Sequence, residues 1–147
     1  MNKYVALILL FVIPLLSFND FVDYWTVKVN GKLLYDSSKD QQYNKRFEYT
    51  VSANAISTKD TLEVQYFTDT PCGNCIYTYF VGEHLKSKGG EDVLGTYSKE
   101  QKFLGNRAYK IALQELINVG SKETAKAIYY YGNSSGAQSL CVITVKE

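Results

Sequence analysis

Thr61-Leu62-Glu63-Val64-Gln65-Tyr66-Phe67 is the stretch that decides the fold. Leu62, Val64 and Tyr66 fall on one side of an extended chain, and Glu63 and Gln65 fall on the other. That period of two belongs to a strand with one wet and one dry face. Ser57-Thr58-Lys59-Asp60 ahead of it reads as a turn, and Arg46 to Val51 alternates as a second half-buried strand. Asp36 to Asn44 is polar and reads as a loop. Further back, Tyr24 to Val29 and Lys32 to Tyr35 flank Asn30-Gly31. Asn-Gly between two apolar runs predicts a tight hairpin, because a type I′ turn needs positive φ at both central residues.

The same reading continues forward. Cys75 to Val81 is β-branched and aromatic and reads as the partner strand of 61–67. Glu83 to Glu91 is charged, carries Gly89-Gly90 and reads as a loop, with a short strand over Asp92 to Tyr97. Tyr109, Ile111 and Leu113 alternate, and then Leu113, Leu116 and Ile117 fall at helical spacing up to Gly120. Ala125 to Tyr131 and Leu140 to Lys146 are two more strands, separated by the turn residues 132–136. The expectation is all-β: a single-domain antiparallel β-sandwich of about eight strands with one short helix. A β-barrel is the alternative.

Met1 to Ser17 stands apart from this pattern. Lys3 is followed by an almost unbroken apolar run, Tyr4 to Leu16, and then by the small Ser17. That is the layout of a secretory signal peptide, cut near Ser17–Phe18, with residues 18–147 as the exported domain. The run is shorter than the roughly 20 residues of a permanent span, and Pro14 lies near its end. No stable membrane span is expected after cleavage, and the location is periplasmic or extracellular. The whole chain has 16 basic and 15 acidic residues; loss of Lys3 leaves them equal. No basic excess is left to neutralise phosphates, which disfavours nucleic acid as a partner.

Cys72-Gly73-Asn74-Cys75 is the one motif with possible redox chemistry. Gly73-Asn74 reads as a two-residue hairpin loop, which would place Cys72 and Cys75 within disulfide range as a structural clip. Cys141, between Leu140 and Val142, is then left as a free core thiol. The alternative is a secreted thiol–disulfide protein, because C-x-x-C after a strand resembles the thioredoxin-like oxidoreductases. There the first cysteine caps a helix, but Ile76 to Val81 is a poor helix sequence and no proline follows Pro71. A Cys₃His zinc site from Cys72, Cys75, Cys141 and His84 is a third reading, set aside because Cys141 lies in an apolar strand. No metal and no cofactor is expected.

Catalysis has little else to draw on. His84 is the only histidine, and the chain carries no G-x-S-x-G, no H-E-x-x-H and no phosphate-cradling loop. Glu48, Glu63, Asp69 and Asp92 read as the wet faces of strands and loops rather than as paired catalytic acids. No catalytic residue is assigned. The 13 Tyr, 7 Phe and one Trp permit a different class of function. Tyr77 and Tyr79 share one strand face, and Tyr129 and Tyr131 share another, so these four are the candidate binding platform for a protein or glycan partner.

Asp60-Thr61-Leu62 through Asp69-Thr70-Pro71-Cys72-x-x-Cys75, within residues 56–82, resembles small exported proteins of the Bacteroidetes. The resemblance implies export and no particular activity. Asp60-Thr61-Leu62 is also similar to the Asp-Thr-aliphatic acceptor of O-glycosylation in that group. The functional expectation is an exported, non-enzymatic binding or accessory module.

Overall fold

The computed structural model describes residues 23–40, 45–68, 74–86, 88–89, 92–105, 107–121, 124–131 and 137–146. The expected signal peptide, Met1–Ser17, and Cys72 lie outside them. Among the described residues nine strands run in the order β1 (Tyr24–Val29), β2 (Lys32–Asp36), β3 (Phe47–Ser52), β4 (Thr61–Phe67), β5 (Ile76–Lys86), β6 (Asp92–Leu104), β7 (Tyr109–Ala112), β8 (Ala125–Tyr131) and β9 (Gln138–Lys146). One short helix, α1 (Leu113–Ile117), follows β7. The strands form a four-stranded sheet, β2-β1-β4-β7, and a five-stranded sheet, β3-β9-β8-β5-β6. The chain is thus an all-β sandwich.

β4 carries the alternation that its sequence demands: Leu62, Val64 and Tyr66 are buried, while Glu63 and Gln65 are half-buried on the other face. There Glu63 holds Lys28 at 3.1 Å and Lys110 at 2.8 Å, a cross-strand pair to each neighbour. The β1–β2 hairpin turns as its sequence requires, with φ of 51° at Asn30 and 79° at Gly31. The Asn30 side chain also ties this turn to the start of β4, donating to Asp60 at 2.8 Å and accepting from the Thr61 N–H at 2.9 Å.

Three local expectations are replaced. β5 does not pair with β4; it lies in the other sheet, between β6 and β8. The strands before and after the cysteine motif, β4 and β5, therefore belong to different sheets. β5 also runs on through Glu83–Lys86, where the charge suggested a loop, because Glu83 points inward to partners described below. β3 joins the edge of its sheet parallel to β9, with Phe47 opposite Cys141 and Ser52 opposite Lys146. The other six strand pairings are antiparallel.

The core lies between the sheets. Trp25, Val27, Leu62, Val64, Tyr66, Tyr109 and Ile111 from one layer meet Tyr77, Tyr79, Val81, Ile128, Tyr130, Cys141 and Ile143 from the other. Trp25 bridges the layers, its indole N–H donating to the Leu140 carbonyl at 3.0 Å. A register shift between Ile128 and Tyr129 bulges the β8–β9 ladder, and both Leu140 and Cys141 are buried in the core. Leu113 and Leu116 of α1, with Val119, extend it.

Candidate functional site

Alternation along β5 and β8 divides the four candidate tyrosines between two environments. Tyr77 and Tyr79, only 6% and 1% exposed, point into the sandwich. Tyr79 stacks on Tyr109 at 5.7 Å, and its hydroxyl accepts from the Tyr66 backbone N–H at 3.0 Å. Tyr77 lies 6.0 Å from Tyr130. Burial pushes the Tyr79 phenol up to about 12. These two are core, because the inner face of β5 meets β4 and β7 across the layer.

Tyr129 and Tyr131 are on the opposite, outer face. Tyr129 is 3% exposed, stacks on Phe80 at 5.8 Å and belongs to a small second cluster with Ala127 and Val142. Tyr131 is 50% exposed. The four therefore do not form one platform. A different group does come together. Ile76 and Leu104 are directly opposite each other on β5 and β6, and both follow the outer-face parity of Tyr131. They are 53% and 63% exposed. Tyr131 pairs with Thr78, one step along the same face, so Leu104, Ile76 and Tyr131 are contiguous. Lys102 and Glu100, on the β6 edge, are ion-paired at 2.7 Å.

Sequence reading named Tyr131 but missed Ile76 and Leu104 beside it. Isoleucine at a strand start and leucine at a strand end look like core until the parity is known. The parity was in fact available: with Tyr77 and Tyr79 inward, Ile76 must point outward.

Cys75 leads into the trio. Its carbonyl accepts from the Gly105 N–H at 3.1 Å, which closes this end of the β5–β6 pair. A strand and not a helix follows Cys75, so the helix dipole that activates a redox cysteine has no counterpart after it. Cys141 is buried and free, and burial raises its thiol pKa, which makes it an inert core residue.

His84 sits on the outer face, half-buried, with its Nδ1 3.4 Å from the Tyr129 hydroxyl. Burial, then the nearby Arg46 and Lys86, hold its pKa below the usual histidine value. Among the described residues no group of three His, Cys, Asp or Glu side chains could hold a metal ion.

A second polar cluster occupies the inner side of the other end. Lys126 is fully buried and Glu83 nearly so. Glu83 Oε1 accepts from the Ser121 N–H at 2.7 Å and the Thr124 hydroxyl at 2.8 Å. Lys126 Nζ donates to Thr124 Oγ1 at 2.8 Å and to the Ser121 carbonyl. Burial lowers the Lys126 pKa, against the pull of the Glu83 charge. Glu83 from β5 and Lys126 from β8 thus both bind the segment after α1, so the cluster acts as a clamp on that segment. Across known families, curated proteins and solved structures, the chain matches nothing.

Proposed function

We propose that this chain is an exported, non-enzymatic β-sandwich that binds a protein partner through the Leu104–Ile76–Tyr131 end of its outer sheet face. The carrying observation is the exposure of these three large apolar side chains side by side on one face. Isolated exposed apolar residues are ordinary, whereas a contiguous group rimmed by polar residues is the anatomy of a contact core. A protein partner is favoured over a glycan because only one of the three is aromatic, and sugar stacking needs flat rings. Export is supported by the Lys3, Tyr4–Leu16 and Ser17 pattern, and no helix among the described residues is long and apolar enough to cross a membrane. A Cys72–Cys75 bond remains part of the reading, since Cys141 is free and buried away.

The test places a photo-crosslinking residue at Thr78, inside the patch, in cells that export the protein. A discrete adduct that disappears with Leu104→Asp, in a protein whose thermal unfolding is unchanged, supports the assignment. An adduct indifferent to Leu104→Asp, or one formed only from a label at Thr26 on the other sheet, refutes it.

A further inference from the structure

β6 ends the five-stranded sheet, and no described strand lies on its far side. At 13 residues it is also the longest described strand. One hydrogen bond fixes which way its backbone groups point. Ile76 opposes Leu104, so Cys75 opposes Gly105, and the Gly105 N–H donates to the Cys75 carbonyl at 3.1 Å. Hydrogen-bonded pairs alternate with non-bonded pairs along an antiparallel ladder, and this ladder is regular from Leu104 back to Lys99. Phe103 and Gln101 therefore turn their N–H and C=O groups to β5. Leu104, Lys102 and Glu100 turn theirs to the edge. Side chains alternate with the same period. Glu100 and Lys102 lie on the outer face, ion-paired at 2.7 Å, with their side chains 37% and 63% exposed. Gln101 stands between them on the inner parity and is exposed.

We propose that two copies of this chain pair antiparallel through β6, about a two-fold axis at Gln101. The order of charges selects both the occupant and the register. With Gln101 against Gln101, Glu100 of each copy faces Lys102 of the other. Both residues point their backbone groups outward, so each facing pair also exchanges two backbone hydrogen bonds. An axis at Glu100 would set carboxylate against carboxylate, and one at Lys102 would set ammonium against ammonium. An axis between two residues would set an outward-turned residue against one turned to β5, and the ladder would be lost. Charges on an edge ordinarily repel other edges; here the same edge, reversed, matches them.

Such an axis is perpendicular to the sheet, so both outer faces stay on one side. The two Leu104 residues then stand six positions apart along the paired strands, about 20 Å. The dimer thus presents the Leu104–Ile76–Tyr131 group twice on one continuous sheet, and a bivalent partner gains from the second contact. That consequence rests on the docking-face reading above; the dimer does not.

Sedimentation equilibrium of the exported protein at low salt tests the pairing. A monomer–dimer equilibrium is expected. Glu100→Lys or Lys102→Glu turns two attractive pairs into two repulsive ones, and each should weaken the dimer about tenfold or more. Each variant also breaks the ion pair within its own chain, so the deciding measurement mixes the two. In the mixture both facing pairs are again opposite in sign, and a heterodimer about tenfold tighter than either variant's homodimer is expected. A protein that stays monomeric at millimolar concentration, a dimer indifferent to both reversals, or a mixture that pairs no better than its components overturns the proposal. The Thr78 adduct is read separately: its absence with the heterodimer formed retires the docking face and upholds the dimer.

Discussion

Gly120 shows how one residue can fix the clamp at the far end of the sandwich. Its φ is 60°, and a Cβ placed there would come within 2.3 Å of the Glu83 carboxyl carbon. Two separate penalties follow for any side chain: a left-handed backbone and a collision with a buried carboxylate that is holding Ser121 and Thr124. Gly120→Ala should cost about 1–3 kcal/mol of stability, measured by urea unfolding. Made in a Glu83→Ala background, the same change should cost less, because only the backbone penalty remains. Equal costs in the two backgrounds would mean that Glu83 does not pack against Gly120. The sequence put the helix end near Gly120; the helix stops at Ile117 with Asn118 as its cap, and Gly120 turns the chain just beyond it. Nothing in the sequence signalled that Glu83 and Lys126 are directly opposite across β5 and β8, since charge spacing along a strand does not reveal which strand lies beside it.

At the scale of elements, what could be read was whatever depended on local period. β4, the Asn30-Gly31 turn and the switch from β7 to α1 all stand where alternation and turn chemistry put them. What could not be read was pairing. β3 joins β9 in parallel from far along the chain, and β5 leaves β4 for the other layer. Both are long-range choices made by the core: Tyr79 packs on Tyr109, and Trp25 reaches Leu140, only if β5 and β9 lie opposite the β1–β4 layer. The cysteine pair inherits this. Its case now rests on the short C-x-x-C spacing and on a third cysteine that is buried and free. Replacing Cys72 and Cys75 by serine should lower stability by about 2 kcal/mol or less and leave the fold unchanged, since closing so short a loop removes little chain entropy. Peptide mapping without reduction should find Cys72 joined to Cys75, with Cys141 reactive only after unfolding. A bond to Cys141 would refute this.

At the scale of the whole molecule, the two sheets are joined by a layer of packed phenol rings. Tyr66 meets Tyr130 at 4.0 Å, Tyr130 meets Tyr79 at 5.4 Å, and Tyr79 meets Tyr109 at 5.7 Å. Stacked and edge-on aromatic packing of this kind stabilises beyond its buried area, so the layer is a main bond between the sheets. It also makes the fold sensitive to alkali. Burial raises the Tyr79 and Tyr109 phenols to about 12, and raises Tyr130 above its ordinary value as well. In the unfolded chain these groups ionise near pH 10. Below that pH both states hold the protons and the stabilisation is fully present. Between about pH 10 and 12 the unfolded chain releases protons that the folded chain keeps, so stability falls as pH rises. The buried phenolates should therefore appear in one cooperative step, coincident with loss of near-ultraviolet circular dichroism. Tyr79→Phe, which removes one of these protons but keeps the ring, should make stability fall less steeply with pH across this window. It also leaves the Tyr66 N–H without its partner, so the variant should start from a lower stability at pH 7. Smooth titration of every phenol with the circular dichroism signal intact would show that this layer does not hold the sheets together.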